Sequence, residues 1–234
     1  MSQNGKVRRD PETPVDPEHD LITIDGNRLK PEQKIYLMMH KPRGLVTTAS
    51  DEKGRETVYS ILQLSGESLP WVAPIGRLDK ASEGLLLLTN DSEWGARIAD
   101  PESHLEKTYH VRIGSIANDE LLKRVRRGIK TQEGDILAAS HCHLLRSGEK
   151  NCWLEIVLDE GKNRQIRRMF EALGIEVLRL LRVAIGPLQL GTLAKRTYRQ
   201  LTNEEKYALD GALAAHANAS AQQKQPRRLK VYAR

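Results

Sequence analysis

The sequence predicts an α+β protein built on a mixed, mostly antiparallel sheet flanked by helices. Three observations carry that prediction. Strand-like segments outnumber helical ones, their apolar alternation is irregular, and no strand–helix–strand repeat recurs. A chain of 234 residues can bury one sizeable core with appendages, or two small domains.

Taken in order, residues 1–20 are polar, mixed in charge and punctuated by Pro11, Pro14 and Pro17, which predicts a flexible arm. Leu21–Asn27 reads as a short strand entering an Asp25-Gly26 turn. From Ile35 the texture changes. Ile35–Met39 is a buried strand, followed by the basic turn His40-Lys41-Pro42-Arg43-Gly44, whose cations can hold phosphate or simply face water. Gly76-Arg77-Leu78-Asp79-Lys80-Ala81-Ser82-Glu83-Gly84 then runs into Leu85-Leu86-Leu87-Leu88, too apolar to be anything but buried. A carboxylate on the lip of a buried strand, beside a cation, is a common way to meet a substrate. On these residues alone, Asp79 is equally a turn cap and Arg77 a surface charge.

Asp91 or Ser92 caps a helix through Trp94 and Ile98 that stops before Pro101. Lys107–Ile113 alternates as a strand. Asn118 opens a helix with Leu121, Leu122, Val125 and Ile129 on one side, its acidic start and basic end complementing the helix dipole. Ile136–Leu145 and Trp153–Leu158 form a hairpin. Arg164–Leu173 is a helix ended by Gly174, with Ile166, Met169, Phe170 and Leu173 as its apolar stripe. Val177–Ile185, Leu188–Leu190 and Tyr198–Leu201 complete the strands. A short helix from about Asn203 leads to a tail carrying Lys224, Arg227, Arg228, Lys230 and Arg234 with no acid, which adds non-specific affinity for nucleic acid.

Composition narrows the function. A net charge of +6 suits a polyanionic partner. Aromatics are only 4%, so phosphate contacts with one or two placed rings fit better than a stacking sheet. No apolar run spans a bilayer. His141 and His143 would share one face of a strand with Cys142 on the other, and no second ligand pair stands at zinc spacing, so no metal is expected. The Met1-Ser2-Gln3-Asn4 start carries no secretory signal, which predicts a cytoplasmic protein with Cys142 and Cys152 reduced.

Three segments together resemble the pseudouridine synthases that modify ribosomal RNA, closest to the branch acting on single uridines of the small or large subunit. They are the Asp79 loop, Lys107-Thr108-Tyr109, and Gly161-Lys162-Asn163-Arg164-Gln165-Ile166-Arg167-Arg168-Met169, with Ile185-Gly186-Pro187-Leu188 completing the pattern. The resemblance implies the pseudouridine synthase fold with a central basic cleft. It divides the chain into residues 1–32, an arm with a remnant of an RNA-binding module of the ribosomal protein S4 type, a catalytic domain over 33–203, and a basic extension over 204–234.

It also implies chemistry. The C1′–N1 bond of uridine breaks, the uracil turns, and C5 bonds to C1′; no group is lost and no redox change occurs, so no cofactor is needed. Asp79 would be the catalytic carboxylate, as nucleophile or base. Arg167 would keep it ionised, since a cation within a few ångströms lowers a carboxylate pKa by about 1–3 units. On the residues alone, Arg167 is an i, i+4 partner of Glu171. Tyr109 would lie against the extruded uracil, and Arg77 would fill the vacated place in the stack. Lys41, Arg43, Lys107, Lys162, Arg164 and Arg168 would hold RNA, mainly by its phosphates. The expected substrate is ribosomal RNA or an assembly intermediate, leaning to the large subunit, acted on by a monomer. A non-catalytic RNA-binding assembly factor, or a synthase for small-subunit rRNA or tRNA, are the alternatives.

Overall fold

The computed structural model describes residues 1–16, 19–29, 33–64, 66 and 69–223, with side chains to 216. The basic residues from Lys224 onward lie outside the described residues. The chain divides into two compact units, Met1–Lys34 and Ile35 onward.

The first unit is a four-stranded sheet in the order β2-β1-β3-β4, from β1 (Ser2–Gln3), β2 (Lys6–Val7), β3 (Ile22–Ile24) and β4 (Asn27–Arg28). The expected flexible arm is therefore wrong over its first residues. Asn4 and Gly5 both take positive φ (51° and 78°), the geometry of a tight two-residue hairpin turn. Asp20 then ties the hairpin down: its carboxylate accepts from Gln3 Nε2 (2.5 Å), Asn4 Nδ2 (2.7 Å) and the Asp16 amide (2.9 Å). The Asp16 amide, then Gln3 and Asn4, set the Asp20 pKa below its ordinary value; burial opposes them and Arg8 adds to them. Polar long-range bonds replace the apolar core that the composition lacks.

The second unit is built on a nine-stranded sheet. In chain order its elements are β5 (Tyr36–Lys41), α1 (Tyr59–Leu64), β6 (Ala73–Ile75), β7 (Glu83–Thr89), α2 (Ser92–Ala99), β8 (Lys107–Ile113), α3 (Asp119–Arg127), β9 (Ile129–Lys130), β10 (Ile136–Leu137), β11 (His141–Ser147), β12 (Cys152–Leu158), α4 (Gln165–Glu171), β13 (Val177–Ile185), β14 (Leu188–Gln189), β15 (Tyr198–Gln200) and α5 (Asn203–Gln223). The main order is β11-β12-β8-β13-β7-β5-β15, with β6 on β7 and β14 on β13; β9 and β10 pair separately. Among the described strands, only the central β13–β7 pair is parallel. Ile129, expected on the α3 face, begins β9 instead, because Gly128 at φ 113° breaks the helix there.

The leucine run explains the layering. All seven residues of β7 are buried. Leu85 and Leu87 face α2 and α5, while Leu86 and Leu88 face α1, so a continuous apolar run fills both faces of a central strand. Each buried leucine contributes about 2 kcal/mol. A third core packs α3 and α4 on β8, β11, β12 and β13 through Val125, Ile166, Met169 and Phe170.

α5 belongs to this unit and is no extension. Leu209 and Leu213 are buried in the α2 core, and Trp94 Nε1 donates to Asp210 Oδ1 at 2.8 Å. Cys142 and Cys152 are buried free thiols, and burial pushes Cys142 up to about 11. Among the described residues, no helix is long and apolar enough to cross a membrane.

Candidate active site

A cleft of about 330 Å³ opens where the β6–β7 loop, the start of β8 and the start of α4 meet. Asp79 sits on that loop, with its side chain 35% exposed. What positions it is the backbone on either side.

Five consecutive carbonyls of the loop each receive a donor. Thr47 Oγ1 donates to Leu78 O (2.8 Å), the Ser82 amide to Asp79 O (2.9 Å) and the Gly44 amide to Lys80 O (2.7 Å). Arg167 Nη2 donates to Ala81 O (3.1 Å), and Lys41 Nζ to Ser82 O (3.0 Å) as well as to Asp79 O (3.1 Å) and Pro42 O (3.1 Å). Leu78 adds an apolar anchor, buried against Leu86, Leu88 and Leu45. A loop so fully satisfied holds its one aspartate in a fixed place.

Lys41 does not face phosphate. It is fully buried beneath the loop, because three carbonyl oxygens converge on its ammonium. Burial pushes its pKa down to about 8; Asp79 and Glu83 oppose that shift and Arg182 adds to it. Arg168 likewise turns away from the cleft. Its guanidinium bonds to Glu133 and Asp135, acids 35 and 33 residues earlier in the chain.

The remaining expected residues are placed as follows. Arg77, Tyr109, Lys107, Lys162 and Arg164 line the cleft with Asp79. Lys162 also pairs with Glu160 at 2.9 Å. Arg43 is exposed and donates to Leu178 O at 3.4 Å. Among the described residues, the cation paired with the Asp79 carboxylate is Arg164, at 3.7 Å, which stands at the α4 N-terminus with φ 48°. Arg167, one turn on, donates to Ala81 O and Val177 O (3.3 Å) and so acts on Asp79 through the loop. Burial, then Arg164, lower its pKa; Asp79 opposes them and Arg43 adds to them.

Two residues that the motifs did not single out shape the site. Arg182 on β13 is 6% exposed and lines the cleft; its Nε donates to Leu85 O at 2.7 Å, while its buried Nη2 has no partner among the described residues. Burial, with Arg182 adding, lowers the pKa of neighbouring Lys107, and Asp159 opposes them. Glu83 is buried at the foot of the loop. Burial alone would raise its pKa, but bonds from Arg179 and Lys195 (3.0 Å) outweigh that and hold it low. In the sequence Glu83 stands within the stretch 76–84 without an assigned role, and Arg182 is marked only as a charge inside an apolar strand.

The arrangement is one carboxylate on a fixed loop within a cleft lined by Arg77, Lys107, Lys162, Arg164 and Arg182. The family model described as RNA pseudouridylate synthase matches residues 35–172. Ribosomal large subunit pseudouridine synthase B of Bacillus subtilis (strain 168) is 38% identical over 199 residues, covering 84% of this chain and 80% of its own. An uncharacterized RNA pseudouridine synthase of Aquifex aeolicus (strain VF5) is 36% identical over 203 residues, covering 86% and 80%. A crystal structure of a pseudouridylate synthase superposes with a TM-score of 0.65 at 30% identity, covering 89% of this chain and 87% of that one. This chain belongs to the RNA pseudouridylate synthase family. It is an RNA-modifying isomerase.

Proposed function

We propose that the enzyme isomerises one uridine of large-subunit ribosomal RNA, with Asp79 as its catalytic residue. The observation that carries this reading is the loop whose five carbonyls are each held by a donor, which fixes the Asp79 carboxylate at the lining of the basic cleft. Choice of the large subunit follows the likeness to the Bacillus subtilis enzyme, whose name states that target.

In this reading the target nucleotide flips out of its stack at a cost of a few kcal/mol. Exposed Arg77 fills the gap, and the uracil enters beside Tyr109. Asp79 meets the ribose beside Arg164, and Lys41 and Arg167 serve as positioning residues through the loop backbone. Uracil leaves C1′ through N1 and returns through C5; the C5 proton is lost and N1 gains one, so the balance closes without a cofactor. Arg43, Lys107 and Lys162 hold the surrounding RNA. A preorganised site of this kind needs no reorganisation as charge develops.

Carbodiimide-based mapping of pseudouridine across ribosomal RNA, in cells with and without the gene, tests the reading. One large-subunit site should vanish and return with wild type but not with Asp79→Asn. Loss of a small-subunit or tRNA site instead would overturn the target. An Asp79→Asn protein that restores the site would overturn the catalytic assignment.

A further inference from the structure

The half-sheet of β11, β12, β8 and β13 carries α3 and α4 on one face. Side chains alternate along a strand, so His110 and Arg112 point away from Tyr109 and Val111, onto the opposite face. There His141, His143 and Arg146 are exposed, and His110, Arg112, Trp153 and Glu155 are partly so. The strand register lines up one row across all four strands: Arg146 stands opposite Trp153, Trp153 opposite Arg112, and Arg112 opposite Arg179. Arg146 and Arg179 lie 5.1 and 5.6 Å from the Trp153 ring centroid.

Arg112 and Arg179 are directly opposed in this row. Like charges directly opposite on a sheet destabilise it. Glu83 neutralises Arg179, and Glu155 faces His110 at 3.3 Å in the next row. Arg112 has only the neutral Asn151 oxygen at 3.1 Å, and among the described residues no acid pairs with Arg112 or Arg146. Partly exposed Trp153, with the unneutralised Arg146 and Arg112 opposite it on its two neighbouring strands, matches a nucleic-acid strand: phosphates for the forks and a base for the ring. The row also connects to the cleft. Exposed Arg43 donates to the carbonyl of Leu178, the residue before Arg179, and so bridges the loop beside Lys80 and the end of the row.

We propose that this open sheet face is a second RNA-binding surface, which takes the strand flanking the target uridine after it leaves the cleft past Arg43. Arg112 and Arg146 contact phosphates, and Trp153 stacks on one base.

Full-length wild type and the Arg112→Gln/Arg146→Gln double variant are titrated with fluorescein-labelled oligouridylate long enough to reach beyond the cleft, with a uridine trinucleotide, and with polyglutamate. Arg146 is exposed and Arg112 partly so, and glutamine keeps a donor for Asn151, so the variant should fold. With two fewer phosphates neutralised on a single strand, the slope of log K against log salt should fall by about 1.4, and the long oligomer should bind more weakly. Trinucleotide affinity should be unchanged. Trp153 fluorescence, isolated by comparison with Trp153→Phe, should be quenched by the long oligomer only. Equal slopes and no quenching would overturn the proposal. Weakening confined to polyglutamate would overturn it in favour of an acidic protein partner.

Discussion

Lys41 and Asp79 meet through the backbone: the Lys41 ammonium, with no exposure to solvent, donates to the Asp79 carbonyl oxygen at 3.1 Å. Its pKa, about 8 against an ordinary 10.5, reflects burial first, which Asp79 and Glu83 oppose and Arg182 reinforces. Between those two values the unfolded chain keeps a proton that the folded chain has lost. Unfolding free energy from this group therefore rises with pH from about 8 to 10.5 and has no slope below that window. The rise is on the order of 3 kcal/mol. Neutral Lys41 also has two N–H groups for three carbonyls, so the loop loosens as stability grows. Urea denaturation should show the rise in wild type and not in Lys41→Met, and kcat should fall above about pH 8. A wild-type stability profile parallel to that of the variant would sink the assignment.

Arg164 and Arg167 can be separated by substitution. Arg164 is half exposed at 3.7 Å from Asp79, a pair of the kind worth less than about 1 kcal/mol. Arg167 holds two carbonyls from a partly buried position. Arg167→Met should lower kcat at least about tenfold at equal folded fraction and leave RNA affinity nearly intact. Arg164→Gln should change stability by less than about 1 kcal/mol and kcat by less than Arg167→Met does. Single-turnover kinetics with both variants decides; the reverse ranking would make Arg164 the group that matters to the carboxylate.

Gly84 pairs with Arg182 where β7 meets β13. A Cβ there would lie 2.2 Å from the Arg182 carbonyl oxygen, and φ is 113°, closed to other residues without strain. Gly84→Ala should cost at least about 3 kcal/mol, because the obstacle is backbone that cannot move aside. Urea unfolding monitored by circular dichroism measures it. A loss below about 1 kcal/mol would show that the two strands part easily.

These positions also show what the sequence made legible. Asp79, Arg77, Tyr109 and Arg164 stand inside local motifs, and local pattern was enough to bring them to one cleft. The leucine run marked a strand buried on both faces. Partners distant in the chain were not legible. Thr47 reaches Leu78 across 31 residues, Lys41 reaches Ser82 across 41 and Arg167 reaches Ala81 across 86, so nothing near Asp79 announces its restraints. Arg168 reads as a phosphate ligand until Glu133 and Asp135 fold against it. Residues 1–7 read as loose because the hairpin depends on Asp20, a single polar side chain far along the chain.

Arg182 joins stability and function in opposite senses. Its Nη2 is buried without a partner among the described residues, and such a group costs roughly 1–3 kcal/mol. Its Nε bond to Leu85 O offsets part of that cost. Methionine fills similar space without a charge to desolvate, so Arg182→Met should leave the free protein no less stable than wild type. The same change removes the donor that lines the cleft beside Lys107 and Tyr109, so kcat/KM on RNA should fall at least about tenfold. Chemical denaturation and steady-state kinetics on one preparation give both values. A variant that loses stability and keeps its activity would show that Arg182 is a structural strut, already satisfied in the free enzyme.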